Sequence, residues 1–409
     1  MRLPLRLVRA AALTWLGSCG ASSAVTPPPL AGTPWISGQT IEAVFGAGTL
    51  SSAGSSTASQ VSLSGPGALA LAPGGALFVV DQLNHRVIRE DLAWIKFTGV
   101  GADGLLGQAL FTGSTRNAGA GGSVPSASGF DNPQGVAMDG TGVLYVSDRG
   151  NNRVLRFNGA VAKANGAAAD AVLGQADFTT KAFGTTATQF SEPAGVAVEV
   201  LGTLWVTDRN NNRVLRFNSA AGKANGAAAD GVLGQADFVT ATGGTSSTKM
   251  RTPHAVIVDA SGNLFVADQG NHRVLVFLNA AAKANGAAAD LVLGQADFTS
   301  GTAPVAASAT NMYLPYALAI DNAGRLYVAD GGQNRILVFH GAIAKGNGAA
   351  ADLVLGKPNF TDGSTTMATA TNVGQPYGVA VQSSTGKLYI SDYSNARVVR
   401  LQAASSLVP

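Results

Sequence analysis

The chain has 409 residues, of which 52 are glycine, 7% are aromatic and only 12% are charged. This composition suits many short strands and tight turns, and it disfavours a fold of long, solvated helices. The formal net charge is +3, but Arg2, Arg6 and Arg9 lie in a segment that we expect to be removed, which leaves 24 basic and 24 acidic residues. A neutral mature chain lacks the overall positive field that draws proteins to nucleic acid, so we expect no nucleic-acid partner.

The first residues have the features of an export signal. A basic stretch is followed by a short apolar segment at residues 10–16, and small residues precede Cys19. This pattern is typical of a secretory signal peptide, and the apolar segment is too short to span a membrane. We therefore expect residues 1–18 to be a signal peptide and the protein to be exported, either to the cell envelope or as a secreted protein.

Cys19 is the only cysteine, so no intramolecular disulfide can form. The segment Leu16-Gly-Ser-Cys19 resembles a bacterial lipobox, in which the cysteine is lipidated after cleavage. We predict that Cys19 is the lipidation site, that residues 19–38 are a proline-rich tether, and that any membrane attachment is through this lipid. The alternative is a plain export signal that happens to contain a cysteine.

The motif Asp-x-x-Asn-x-Arg or a close variant of it, preceded by a β-prone run, recurs six times and decides the architecture. Its aspartates lie 67, 60, 60, 62 and 62 residues apart. The six aspartates and six arginines are Asp81, Asp148, Asp208, Asp268, Asp330, Asp392, Arg86, Arg153, Arg213, Arg273, Arg335 and Arg397. A fixed period of this length indicates a repeat architecture in which each repeat is one supersecondary unit.

Each repeat contains the same series of β-prone segments. In the second repeat, residues 133–139, 144–147, 153–157 and 172–178 are the four predicted strands. A four-stranded sheet that is apolar on both faces must pack against similar sheets around an axis. We therefore predict an all-β fold, a six-bladed β-propeller of four-stranded antiparallel blades over residues 39–402, followed by a C-terminal tail at residues 403–409.

The two ends of the propeller are expected to complete one blade. The sixth repeat stops before a fourth strand, whereas residues 41–48 resemble a fourth strand that has no repeat before it. We predict that this N-terminal strand pairs into the last blade and closes the ring. Without that pairing, an open sheet edge would invite association.

The repeat resembles a known family. The segments Pro133-Gln-Gly-Val-Ala137 and Leu144-Tyr-Val-Ser-Asp148-Arg-Gly-Asn-Asn-Arg153 are similar to the NHL repeat, and the resemblance covers residues 39–402. It implies a six-bladed propeller of a kind that occurs in bacterial surface and sensor proteins, in peptidyl-glycine lyases and in RNA-binding regulators. Because functions on one fold diverge, the resemblance predicts the fold and leaves the activity open.

A residue that recurs in every blade serves every blade, whereas a single axial site requires residues that differ between blades. The recurring Asp, Asn and Arg are expected in a tight inter-strand turn, with Gly150 or Asn210 at positive φ and the arginine paired with the carboxylate or with carbonyls. Metal binding is the alternative. The acidic ligands of each turn are too few for a calcium loop, so we predict no metal site and no cofactor.

Two further segments recur. The loop at residues 163–170 returns at Lys223, Lys283 and Lys345, and we interpret it as a spacer, with a multivalent interaction epitope as the alternative. After each copy of this loop comes a polar residue that we place on the outer surface. These residues are Gln175, Gln235, Gln295 and Lys357.

The residue after the first proline of each repeat differs from blade to blade, and it is Gln134, Ala194, His254, Tyr316 or Tyr377. In a propeller these positions converge at the axial mouth, on the face that also carries the variable loops. The predicted ligand-binding residues are Gln134, Glu192, His254, Tyr316, Gln375 and Tyr377. The alternative is a ring of side chains that only plugs the channel.

His254 also raises the possibility of catalysis. The segment Thr252-Pro-His254-Ala resembles the Pro-His-Ser segment at which NHL-type peptidyl-glycine lyases place one zinc-binding histidine. A catalytic zinc needs about three protein ligands, and His85, His272 and His340 are not expected at the axis. Calcium-dependent lactonases would find analogues only in Glu192 and Asn132, and His254 is the sole candidate for the axial base of a virginiamycin-type lyase.

We therefore predict a non-catalytic binding module of the cell envelope or a secreted one. Its loop-rich face is expected to bind a peptide, glycan or protein ligand. The alternative is a metal-assisted lyase or lactonase with its site at the axial mouth around His254.

Overall fold

The computed structural model describes residues 40–118, 122–364 and 367–401. The predicted signal peptide at 1–18, Cys19, the tether at 19–38 and the tail at 403–409 lie outside the described residues. Within the described part of the chain, no helix has the length and apolarity that crossing a membrane requires.

The described residues form 24 strands in six antiparallel four-stranded sheets, which are the blades. The first strand is β1 (Ile41–Phe45), which belongs to the last blade. Blade 1 contains β2 (Pro66–Leu71), β3 (Leu77–Asp81), β4 (Arg86–Glu90) and β5 (Gly104–Leu106). Blade 2 contains β6 (Pro133–Met138), β7 (Leu144–Asp148), β8 (Arg153–Phe157) and β9 (Ala171–Leu173). Blade 3 contains β10 (Pro193–Val198), β11 (Leu204–Asp208), β12 (Arg213–Phe217) and β13 (Gly231–Leu233).

The remaining blades follow the same order along the chain. Blade 4 contains β14 (Ala255–Val258), β15 (Leu264–Asp268), β16 (Arg273–Phe277) and β17 (Leu291–Leu293). Blade 5 contains β18 (Pro315–Ile320), β19 (Leu326–Asp330), β20 (Arg335–Phe339) and β21 (Leu353–Leu355). Blade 6 contains β22 (Pro376–Gln382), β23 (Lys387–Asp392), β24 (Arg397–Leu401) and β1. The predicted six-bladed, four-stranded propeller is confirmed.

Short 3-10 turns connect some of the strands. Those that follow the motif aspartates are Gln82–Asn84, Arg149–Asn151, Arg209–Asn211, Gln269–Asn271, Gly331–Gln333 and Tyr393–Asn395. Those in the loops before the fourth strands are Ala160–Ala162, Ala220–Gly222, Ala280–Ala282 and Ala342–Ala344. The first set lies on the same face as the starts of the inner strands, which we name the turn face. The opposite face carries the turns between the first and second strands, and we name it the hairpin face.

The core lies between neighbouring blades. Tyr145 and Val154 of blade 2, for example, form one buried cluster with Leu204, Val206 and Leu215 of blade 3. Each blade is therefore covered on both faces by its neighbours, which explains why the strands are apolar on both faces.

The ring is closed by the first strand. In blade 6, β1 pairs antiparallel with β24, with Ile41 opposite Leu401 and Phe45 opposite Val398. The Glu42 carboxylate adds an ionic contact, since it accepts hydrogen bonds from Lys387 Nζ at 2.7 Å and from Arg400 Nε at 3.3 Å. The start of the propeller thus completes the blade that contains its end, and the described chain enters β1 from the hairpin face.

The recurring Asp and Arg form a buried pair in each turn, and the Asn joins them in every blade except blade 5, which has Gln333 at that position. In blade 3, Asp208 accepts hydrogen bonds from Arg213 Nε at 2.7 Å, from Asn211 Nδ2 at 2.8 Å and from the backbone N–H of Ser191 at 2.7 Å. The Arg213 guanidinium also donates to loop carbonyls, including that of Gln189 at 3.1 Å. The same ion pairs join Asp81 to Arg86, Asp148 to Arg153, Asp268 to Arg273, Asp330 to Arg335 and Asp392 to Arg397.

The residue with positive φ in these turns is not the predicted one. It lies immediately before the motif arginine, as at Asn152 and Asn212, and not at Gly150 or Asn210. Its role explains the position, because Asn212 Oδ1 accepts the backbone N–H of Thr252 in the next blade at 2.8 Å. The equivalent residues are His85, Asn152, Asn212, His272, Asn334 and Ala396.

The fourth strands are shorter than predicted, and the polar residues after them are not on the outer surface. Strand β9 ends at Leu173, because the next residue, Gly174, has φ +85 and leaves the extended conformation. Glycine is required at this position, since a Cβ there would lie 2.0 Å from the Phe190 ring. Gln175 is buried and donates hydrogen bonds to the carbonyls of Asn152 and Ala182. The predicted surface position is also wrong for two equivalent residues, Gln235 and Lys357, which are buried, whereas Gln295 is partly exposed.

The recurring Asn-Gly loop joins each of several blades to its neighbour. Asn225 Oδ1 accepts the backbone N–H of Val172 at 3.0 Å, and the N–H of Gly226 donates to the Val172 carbonyl at 3.0 Å. The same asparagine contact occurs at Asn165, Asn285 and Asn347. These bonds satisfy the outer strand of the preceding blade, which accounts for the recurrence of the loop as scaffold.

Candidate functional site

The inner strands bring their first residues together around the axis at the turn face. Gln134, Tyr316 and Tyr377 are the second residues of β6, β18 and β22, and His254 immediately precedes β14. In blades 2, 5 and 6 the strand register shifts just after the proline. Such irregularities re-aim side chains, which is how residues of a strand end come to face the axis.

Contacts within blade 4 and from the neighbouring blade 3 hold the His254 backbone in place. Its backbone N–H donates to the Ala267 carbonyl at 2.9 Å. Its carbonyl accepts a hydrogen bond from Thr207 Oγ1 of blade 3 at 3.1 Å, and the same hydroxyl accepts the N–H of Gly195 at 2.6 Å. His254 therefore has a fixed backbone position on an ordered scaffold.

The His254 ring bonds to side chains and backbone from two other blades. Nδ1 lies 2.7 Å from the Tyr316 carbonyl oxygen, and Nε2 lies 3.0 Å from Gln134 Nε2. The Tyr316 and Tyr377 rings pack edge-on against it, with centroids 5.0 and 5.1 Å away. Burial lowers the pKa of His254 to about 3, and the charges of Arg209 and Arg149 act in the same direction.

These contacts assign the tautomer. A neutral imidazole carries one proton, and a carbonyl oxygen can only accept, so Nδ1 is protonated and donates to Tyr316. Nε2 is then an acceptor for the Gln134 amide, whose other N–H donates to Tyr377 Oη at 3.2 Å. Gln134 and His254 are 3% and 4% exposed, so with Tyr377 they close the axis at the turn face. We name this group of three side chains the plug.

Lowering the pH is expected to reduce the free energy of unfolding through His254. Because the pKa of His254 is about 3 in the folded protein and 6.5 ordinarily, the unfolded chain binds a proton below pH 6.5 that the folded protein does not bind until about pH 3. The stability contribution of His254 is therefore present above pH 6.5 and falls by about 1.4 kcal/mol per pH unit through that window. Free energies of unfolding of wild type and His254→Asn, measured by denaturant titration between about pH 7 and about pH 4, should converge as the pH is lowered. A constant difference would contradict the assignment.

Glu192 and Gln375, the other predicted ligand-binding residues, also lie at the turn face but contact different partners. The Glu192 carboxylate accepts hydrogen bonds from Arg149, with Nε at 2.9 Å, and lies 3.6 Å from Arg209 Nη1. Gln375 accepts a hydrogen bond from Ser394 Oγ at 3.3 Å. Among the described contacts, none joins Glu192 to His254, so the two residues named for a catalytic centre are not paired.

A column of stacked tyrosines from blades 5 and 6 lies at the axial mouth. Tyr316 and Tyr377 stack with ring centroids 4.1 Å apart, and Tyr377 stacks on Tyr393 at 4.8 Å. All three are partly exposed. Together with Arg149, Glu192 and Arg209 they form a surface at the axial mouth, which we name the mouth patch.

Arg149, Arg209 and Tyr393 were not predicted as site residues from the sequence. They belong to the recurring motif, at the position immediately after its aspartate. That position differs from blade to blade, and its residues are Gln82, Arg149, Arg209, Gln269, Gly331 and Tyr393. The rule that axial residues differ between blades would have found this second ring, had it been applied within the motif as well as after the proline.

The described residues lack a set of side chains of the kind that metal ions require. Within residues 40–118, 122–364 and 367–401, no three His, Cys, Asp or Glu side chains converge in a way that would hold a metal ion. His85 and His272, two of the other histidines, serve the blade contacts instead, since their Nδ1 atoms accept the backbone N–H groups of Asn132 and Leu314.

Parts of the chain are similar to known proteins. The chain is similar to human NHL repeat-containing protein 3, with 30% identity over 96 residues, and the match spans only 22% of this chain and 23% of that protein. Among solved structures, a streptogramin B lyase has 13% identity and a TM-score of 0.47, with 88% of this chain and 96% of that chain covered. A gluconolactonase from Xanthomonas campestris has 13% identity and a TM-score of 0.49, with 88% and 98% covered.

The family model named NHL repeat matches residues 130–157, 190–217 and 250–277. These ranges are the first three strands of blades 2, 3 and 4. The match therefore covers three of the four strands in each of these blades. Blades 2, 3 and 4 contain NHL repeats, and the chain has the fold of a six-bladed β-propeller.

Proposed function

We propose that this chain is a non-catalytic binding module, exported to the cell envelope or secreted, whose ligand docks on the mouth patch. The observation that carries the proposal is the column of Tyr316, Tyr377 and Tyr393 beside the Arg149–Glu192–Arg209 group at the axis. These residues come from four different blades and are not part of the recurring scaffold. Convergence of blade-specific polar and aromatic groups at the axial mouth is typical of a ligand site.

The state of His254 supports binding over catalysis. A general base needs a free lone pair within reach of the substrate proton. In His254, Nε2 is already bonded to Gln134 and Nδ1 to the Tyr316 carbonyl. Glu192 is likewise engaged by Arg149 and Arg209. A metal-assisted lyase or lactonase around His254 would first have to break these contacts.

The chemistry of the mouth patch favours a peptide or protein ligand with a carboxylate, over a glycan. Tyrosine and arginine are the side chains that most often anchor protein interfaces. Two guanidinium groups share the single Glu192 carboxylate, so the patch has excess positive charge and free donors. A carboxylate of the ligand would be bound by those donors through charge-assisted hydrogen bonds.

The direction in which the chain enters the propeller is consistent with a lipid anchor at Cys19, which remains a proposal. Ile41 lies at the hairpin face, opposite Leu401. A chain tethered through residues 19–38 would therefore approach the propeller from that face. The mouth patch would then be directed away from the membrane and towards its ligand.

A peptide array tests the proposal, with each peptide present as the free C-terminal acid and as the amide, alongside a glycan array. We expect wild type to bind a subset of the acids, and the double variant Arg149→Gln/Arg209→Gln to lose about tenfold or more in affinity for them. Tyr393→Ala should weaken the same peptides. The control is Arg116→Gln, which changes an exposed arginine of a turn-face loop. Absence of binding, or binding unaffected by these changes, would contradict the proposal.

A further inference from the structure

A channel runs along the axis beneath the plug. Its volume is about 210 Å³, and it is enclosed by the inner strands of all six blades. At the turn face it ends at the buried Gln134 and His254. At the hairpin face it is ringed by partly exposed apolar side chains, so this end is open. These side chains are Leu71, Met138, Val198, Ile257, Ile320 and Val381.

The side chains that line the channel between the plug and the open end are apolar. They belong to alanine, glycine, valine, leucine, isoleucine and methionine, and none of the lining residues among those described carries a charge. Polar atoms also contribute to the channel surface. An apolar cavity of about 150 Å³ is known to bind benzene, and the channel is larger than that cavity. Its side chains therefore offer contacts to the apolar body of a small molecule, and its polar atoms offer contacts to a polar group.

One polar atom at the closed end lacks a partner. The tautomer of His254 requires that the Gln134 amide nitrogen, and not its oxygen, faces Nε2. Both N–H groups of that amide are then used, one by His254 and one by Tyr377. The remaining oxygen, Gln134 Oε1, is buried and accepts no hydrogen bond from any of the residues that the structure describes. A buried acceptor without a donor costs about 1–3 kcal/mol, so a donor from outside the protein would be stabilised there.

We propose that the channel is a second ligand site, separate from the mouth patch and entered from the hairpin face. Its ligand is a small apolar molecule, an alkyl or aryl group of roughly six to nine carbons, that carries one hydroxyl or N–H. The apolar body fills the channel, and the donor bonds to Gln134 Oε1. From Met138 to Gln134 the strand rises by about 13 Å, so such a molecule is held entirely inside.

The probes are p-cresol and toluene, which share a ring and a methyl group and differ by one hydroxyl. Binding is followed by the methyl signals of methionine in protein labelled with ¹³C at those methyls. Met138 lines the channel, whereas Met250 and Met312 are buried between blades and serve as internal references. We expect both probes to shift the Met138 signal without shifting the references, and p-cresol to bind about tenfold more tightly.

Two sets of variants test the position and the acceptor. The double variant Met138→Trp/Ile320→Trp narrows the open end and should lower the affinity for both probes about tenfold or more. If this variant fails to fold, a second double variant, Val198→Phe/Val381→Phe, should have the same effect on the affinity. Because Met138 is lost in the first pair, affinities are also measured calorimetrically. Val200→Trp is the matched control, since Val200 is 89% exposed in a hairpin-face turn outside the lining. In Gln134→Leu the preference for p-cresol over toluene should disappear.

The outcomes separate this site from the mouth patch. If neither probe shifts Met138, or if the narrowed variants bind as well as wild type, the channel is not a ligand site. If both probes bind equally to wild type, the donor requirement is wrong and the channel holds only water at Gln134. None of these results depends on Arg149, Arg209 or Tyr393, so peptide binding at the mouth patch is decided independently.

Discussion

Replacing Arg213 with methionine is expected to lower the free energy of unfolding by about 4 kcal/mol. The substitution keeps most of the side-chain volume but leaves the buried Asp208 carboxylate without its counter-ion. It also removes the donors for several loop carbonyls, including those of Thr186 and Gln189. Loss of one partner of a buried pair is costly because the other charge remains in a medium that solvates it poorly. Denaturant unfolding followed by circular dichroism measures the change.

The matched control is Arg116→Met, which removes an arginine that is 62% exposed and whose nearest carboxylate contact, to Asp131, is 3.9 Å long. That substitution should change the stability by about 0.5 kcal/mol or less. The double variant Asp208→Asn/Arg213→Met should be destabilised by less than the sum of the single changes, because the two side chains form one unit. A loss of under about 1 kcal/mol for Arg213→Met would show that the pair does not hold the turn.

Phe45→Ala is expected to cost about 3–5 kcal/mol and to loosen the closure of the ring. Phe45 is fully buried in β1, its ring stacks with Tyr389 at 6.4 Å, and it belongs to a cluster with Leu63 and Leu77 beside blade 1. One side chain therefore holds the first strand, the last blade and the first blade together. Native-state hydrogen exchange should show faster exchange at β24 amides than in blades 2 to 4.

The control for this change is Phe183→Ala, which truncates a phenylalanine that is 74% exposed in a turn-face loop. It should leave both the stability and the exchange pattern close to those of wild type. If β24 amides in Phe45→Ala exchange no faster than those of the other blades, β1 does not act as the closure of the ring. In that case the six sheets are held by inter-blade packing alone.

The residues around the axis were predicted from the sequence only in part. Gln134, His254, Tyr316 and Tyr377 were grouped because one position varies while its surroundings recur, and the structure does bring these four together. Their mutual bonding did not follow from the pattern. Gln134 and His254 are 120 residues apart, and no local rule predicts which of two polar groups meets another across an axis.

The positions that were misplaced share one cause. From their neighbours along the chain, Gln175 was predicted to lie on the surface, and positive φ was predicted at Gly150 and not at Asn152. In the structure Gln175 is buried because the loop before the next blade presents the carbonyl of Ala182 to it. Asn152 has positive φ because its side chain accepts the N–H of Glu192 in that same blade. Both roles depend on partners that only the folded ring supplies.

The sequence by itself determined the number of blades, the four strands of each and the joining of the ends. The blades and their strands rest on hydrogen bonds between strands that are close along the chain and on an apolar pattern that recurs in six repeats. The joining of the ends follows from the same pattern, because the last repeat lacks a fourth strand and β1 supplies it. Only the tertiary structure decided that the axis is closed at the turn face and open at the hairpin face. It also decided that Arg149, Arg209 and Tyr393 meet at the mouth, because their meeting depends on how six blades converge on one axis.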